Sequence, residues 1–187
     1  MTEKFQNKYR IASSRLKNWD YGWHAAYFVT ICTQNREHYF GDLVNGSMQL
    51  SEIGKIVDAE WLKTFEMRPD MNLMMGAYVI MPNHFHGIVI IGDNPYNTGL
   101  VMERRNAMHC VSTDTTKNKF GPQSKNLASI ICGFKIGVTK NARIINADFA
   151  WQSRYYDHII RNDESLFRIR NYIKNNPLKW MKDKFYE

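Results

Sequence analysis

Cysteine is scarce in this chain of 187 residues: three occur, Cys32, Cys110 and Cys132, with no Cys-x-x-Cys spacing. An odd, scattered set excludes a disulfide framework and a cysteine zinc site, and reads as reduced thiols. Apolar runs long enough for a membrane-spanning helix are missing too. The opening MTEKFQNKYR is polar and does not read as a secretory leader, so the expected location is the cytoplasm. Negative charge is the minority sign, with 18 Asp and Glu against 25 Lys and Arg and a net charge of +7. A surplus of this size favours polyanionic partners, nucleic acid first, although mild basicity alone is common among globular proteins. Hydrophobic residues at 44% and aromatics at 13% suffice for a core, which excludes disorder of the whole chain and fits one domain.

Along the chain, residues 1–23 form a basic and aromatic extension, including Arg15, Lys17, Trp19, Tyr21 and Trp23. The mixture suits phosphates and stacked bases, and equally suits a tail packed by its tryptophans. A single domain is expected over 24–180, with a tail at 181–187. Within it AYFVTICT (26–33) is β-branched and aromatic and predicts a strand buried on both faces. Asn45-Gly46 marks a turn before a short strand at 48–51. Ser51 caps a helix whose apolar positions Ile53, Ile56, Val57, Trp61 and Leu62 carry it to about Phe65. LMMGAYVIM (73–81) and HFHGIVII (84–91), joined by Pro82-Asn83, predict an antiparallel hairpin. A polar insertion follows at 93–123, unusually long for a structureless connection.

A second helix is expected over 124–143, with Leu127, Ile130, Ile131, Phe134 and Val138 inward. Lys125, Lys135 and Lys140 make it basic elsewhere. With Arg15 and Lys17 they are the candidate contacts to a phosphate backbone. A short strand within WQSRYYDHIIR (151–161) precedes a last helix, capped by Asn162 and closed by Pro177. The order β-α-β-β-α-β-α predicts an α+β fold. It matches a ferredoxin-like split βαβ with an antiparallel sheet, plus an extra C-terminal helix.

The sharpest local signal is MPNHFHG. Residues two apart in a strand share a face, so His84 and His86 lie side by side while Phe85 drives into the core. Paired imidazoles suit a divalent cation, and a hairpin with two histidines on a wet face is the alternative. A third ligand is needed. On the final helix Tyr172 and Asn176 are four apart and share a face, which would bring a hydroxyl and a carboxamide oxygen together. Taken singly, Tyr172 also fits a core-edge tyrosine and Asn176 a helix C-cap.

Four ordered motifs, YFVTICT, MPNHFHG, WQSRYYDHIIRN and YIKNNP, resemble those of the REP-associated tyrosine transposases, a group within the single-tyrosine HUH transposases. The match covers roughly 25–92 and 124–180. The resemblance implies a ferredoxin-like fold and cleavage of single-stranded or hairpin DNA. The tyrosine joins the 5′ phosphate and frees a 3′ hydroxyl. By position His84 and His86 are the motif histidines, Tyr172 the nucleophile, and Asn176 the third ligand of Mg²⁺ or Mn²⁺, where related enzymes often carry glutamine. Tyr155 and Tyr156 are rival tyrosines, and His158 either contacts DNA, orients a neighbour or is structural. Such enzymes also form homodimers in which the tyrosine serves its own or the partner's site. Two alternatives remain: a hairpin-binding protein without cleavage, and a metal-dependent phosphodiesterase that uses water.

Overall fold

The computed structural model describes residues 4–5, 8–9, 16, 19–98, 124–183 and 185–186. Arg15, Lys17 and most of the 93–123 insertion lie outside the described residues. The main elements are β1 (Ala25–Cys32), β2 (Gly41–Val44), β3 (Ser47–Leu50), α1 (Glu52–Glu66), β4 (Leu73–Met81), β5 (His84–Ile91), α2 (Leu127–Ile145), β6 (Tyr156–Ile160) and α3 (Asp163–Asn175). Four of the strands form one sheet in the order β4-β5-β1-β6, antiparallel throughout. β2 and β3 make a separate hairpin. The α+β, split βαβ architecture expected from the pattern is therefore present, with α3 as the additional helix.

Local chemistry explains the boundaries. Ser51 caps α1 by accepting from the Gly54 amide at 3.0 Å. Asn126 caps α2 with a reciprocal pairing to Ser129, so α2 starts three residues later than 124 and extends to 145. Lys125 consequently stands before the helix, in a left-handed conformation at φ +53°. Asn162 caps α3 by accepting from Ser165 at 2.8 Å, and α3 ends just before Pro177.

The sheet's two faces serve different ends. On one, α1 and α2 cover Tyr27, Val29, Ile31, Phe85, Val89 and Ile91. Trp61 of α1 is fully buried there, its ring 4.6 Å from Phe85 and 5.2 Å from Phe134. Gly87 makes room for this cluster: a Cβ at that position would come within 2.7 Å of Phe85 and 2.8 Å of Trp61. On the other face α3 packs Ile173, Leu166 and Ile169 against Phe28, Ile88 and Ile160. Beside them a short 3-10 turn at Pro177–Lys182 brings Trp180, with Phe185 beyond it, onto Cys32 and Met81. Trp19 of the N-terminal extension docks too, its Nε1 donating to the Tyr27 hydroxyl at 3.2 Å.

Candidate metal and tyrosine centre

β5 pairs with β1 in a register that sets His86 opposite Thr30 and His84 opposite Cys32. Strand alternation then sends both imidazoles to the α3 face and Phe85 to the core face. The histidines are 0% and 1% exposed, so they do not sit on a wet face. Their ring centroids are 4.5 Å apart.

Each imidazole is oriented by a neighbour. The Asn83 amide nitrogen donates to the Phe185 carbonyl at 2.9 Å, which turns its oxygen toward Nδ1 of His84, also at 2.9 Å. A carboxamide oxygen only accepts, so Nδ1 of His84 carries the proton and Nε2 keeps its lone pair. His86 Nδ1 lies 2.8 Å from Thr30 Oγ1. With Nδ1 donating to that hydroxyl, Nε2 is again the basic nitrogen. This is how ligand histidines are commonly held.

The helix-borne residues reach the same place. Tyr172 Oη lies 3.2 Å from Nε2 of His86, and the two rings are 5.3 Å apart. Phe28 packs edge-on to Tyr172 and stacked on His86, which fixes their spacing. Tyr172 is 40% exposed. Burial, followed by the nearby Asp183 charge, pushes the pKa of its phenol up to about 12. Asn176 is 2% exposed. Its Nδ2 donates to Asp183 Oδ2 at 2.9 Å, and its Oδ1 has no hydrogen-bond partner among the described residues.

Asp183 is the residue that pattern reading missed. One ligating atom each from His84, His86 and Asp183 lie within 4.8 Å of one another. Two oriented imidazoles, a carboxylate and a buried carboxamide oxygen form a donor set that could hold a divalent cation.

The other candidates fall elsewhere. Tyr156 shares the sheet face of His86 but is exposed, with Phe28 as its ring neighbour at 6.5 Å. Tyr155 packs toward the α1 and α2 face. His158 is exposed on β6 opposite Phe28 and lines a cleft of about 580 Å³ with Arg161 and Arg168. Lys135 donates to the Gln152 carbonyl at 2.6 Å, and burial lowers its pKa. It lies on α2, across the sheet from the histidines. Lys125 is paired with Asp70 and sits over the Tyr96 ring at 4.9 Å. Lys140 is exposed and lines a groove of about 650 Å³ along α2 with Arg143, Trp151 and Tyr155.

Fold and centre define a class: an antiparallel α+β domain in which paired imidazoles on a strand meet the phenol of an added helix. The fold is shared with a REP-associated tyrosine transposase solved bound to a REP hairpin. That structure aligns with a TM-score of 0.57 at 17% identity, over 93% of this chain and 77% of the other. No family model matches the chain. An uncharacterized protein of Haemophilus influenzae is 37% identical over 176 residues, 93% of this chain and 92% of its own length. The chain belongs to the same family as that protein. Among the described residues no helix is long and apolar enough to cross a membrane.

Proposed function

We propose that the protein is a metal-dependent nicking and joining enzyme for single-stranded DNA, a transposase whose nucleophile is Tyr172. The observation that carries this reading is the meeting of Tyr172 Oη with His86 Nε2 at 3.2 Å, from elements 86 positions apart. The structural neighbour was solved bound to a REP hairpin, which supports hairpin or repeat-end DNA as the substrate class.

His84, His86 and Asn176 hold the ion in this reading. Mg²⁺ or Mn²⁺, when bound there, would supply Lewis acidity to the scissile phosphate. Tyr172, half-exposed and with its hydroxyl beside His86 Nε2, is the group that would meet a phosphate held there. Its oxygen forms a bond to phosphorus as the bond from phosphorus to the 3′ oxygen breaks. The phenol loses one proton and the leaving 3′ oxygen gains one. The product is a 5′ phosphotyrosine, which a second 3′ hydroxyl can reverse, so strands are rejoined without an outside energy source. A phenol raised to about 12 is a weak nucleophile by itself, which is the physical reason a nearby cation is needed.

The test uses labelled hairpin DNA with Mn²⁺, read as a denaturant-stable protein adduct. The expected result is an adduct with the native chain and none with Tyr172→Phe, while both bind DNA. An adduct that persists in the variant would overturn the assignment. A complex without any adduct in the native chain would favour the hairpin-binding reading. Cleavage that survives Tyr172→Phe without an adduct would favour a water-using phosphodiesterase.

A further inference from the structure

The ligands of the proposed mechanism, His84, His86 and Asn176, come from β5 and the end of α3. We propose that Asp183, carried on the turn that follows α3, is a further ligand of the same ion and gives the site its negative charge. This rests on the metal-dependent reading above and extends it to a segment of chain outside the recognisable motifs.

Proximity is the first argument. A carboxylate oxygen of Asp183 and one nitrogen from each histidine fall within 4.8 Å of one another. Orientation is the second. Oδ2 accepts from Asn176 Nδ2 and Oδ1 from the Phe185 amide, both at 2.9 Å. Each oxygen retains a further lone pair. The Asp183 amide in turn donates to the Trp180 carbonyl at 2.9 Å. Trp180 and Phe185 are buried on either side, with Phe185's ring 4.6 Å from that of His84. The carboxylate is thus held by a packed turn, and that turn is tied to the histidine strand by the bond from Asn83 to the Phe185 carbonyl.

Chemistry is the third argument. Two neutral imidazoles and a carboxamide bring no charge to a hard divalent cation, which favours carboxylate oxygen. Asn176, its Nδ2 bound to Asp183 and its buried Oδ1 without a hydrogen-bond partner among the described residues, links the helix ligand to the tail ligand.

The competing account is that Asp183 only closes its own turn through the Phe185 amide. Asp183→Asn separates the two, because a carboxamide oxygen still accepts from that amide but carries no charge. Binding of Mn²⁺ alone to the full chain is measured by titration and by its electron paramagnetic resonance. Hydrogen exchange over 177–186 is followed with and without the ion. The expected result is a loss of Mn²⁺ affinity of more than about tenfold in Asp183→Asn, with near-ultraviolet circular dichroism unchanged. Mn²⁺ should slow exchange of the tail in the native chain and not in the variant. Equal affinity in the two proteins overturns the proposal while leaving the histidine site standing. Absence of Mn²⁺ binding by the native chain overturns both. Native tightness in Asp183→Asn with loss of binding in His86→Ala would show a site that does not extend into the tail.

Discussion

Thr30 Oγ1 lies 2.8 Å from Nδ1 of His86, joining the central strand of the sheet to the imidazole that faces Tyr172. Both residues are buried, and they sit directly opposite one another in the pairing of β1 with β5. The ring's orientation is therefore inherited from the sheet and does not depend on the mobile chemistry of a loop.

Replacing Thr30 with Val keeps the shape and removes that partner. We expect Mn²⁺ affinity and adduct formation to fall about 10- to 100-fold, the usual effect of removing a ligand's supporting group. The drop should appear in metal titration of a protein whose circular dichroism is unchanged. Native affinity in Thr30→Val would mean that the ring is held by Phe28 stacking alone.

Chelation by EDTA should abolish the adduct, and Mn²⁺ should restore it. The ion should also raise the midpoint of thermal unfolding, because a ligand that binds only the folded chain stabilises it by mass action. An adduct that forms in EDTA would remove the metal from the reaction.

Gly87→Ala should destabilise the fold by about 1–3 kcal/mol, the range seen when a well-packed core is overfilled. The added methyl would meet Phe85 and Trp61 at 2.7 and 2.8 Å. Urea unfolding of the variant checks this, and an unchanged midpoint would show that the aromatic cluster can yield.

Helix α3 depends on its first turn. Asn162→Ala removes the oxygen that accepts from Ser165 at 2.8 Å and should cost about 1 kcal/mol of stability. Because that helix carries Tyr172, adduct yield at elevated temperature should fall before DNA binding does. The readouts are urea unfolding and the adduct assay at two temperatures.

Among the basic residues, Lys140 is exposed in the α2 groove while Lys125 is paired with Asp70. Lys140→Ala should lower the slope of log affinity against log salt by roughly 0.7–0.9, the share of one phosphate contact. Lys125→Ala should change the slope less. Equal slopes for native protein and Lys140→Ala would take the groove out of the DNA path.

Much of this architecture is legible in one dimension because it is periodic. The β-branched and aromatic stretch of β1, the hairpin around Pro82-Asn83 and the caps at Ser51 and Asn162 all declare themselves locally. The two-residue spacing of the histidines and the four-residue spacing of Tyr172 and Asn176 locate half of the centre on each side of the sheet–helix contact. Asp183 escaped because it follows Pro177, past the last helix, where neither a 3.6- nor a 2-residue period applies. Its position depends on how Trp180 and Phe185 pack, which is a tertiary fact. Thr30 and Asn83 were read only as parts of a strand and a turn, since a second partner distant in sequence defines their role. Lys135 shows what charge counting leaves out. Counting charges along α2 marked it as free for phosphate, whereas burial and the Gln152 carbonyl engage its ammonium.

The alternation that places Phe85 in the core and its flanking histidines on the opposite face has a consequence for quality control. If β5 slid by one position against β1, Phe85 would turn outward and both imidazoles would enter the packing around Trp61. A misassembled copy would then be unstable as well as inert. The hydrophobic anchor acts as a proofreader, because a copy that misplaces its paired imidazoles also forfeits its core.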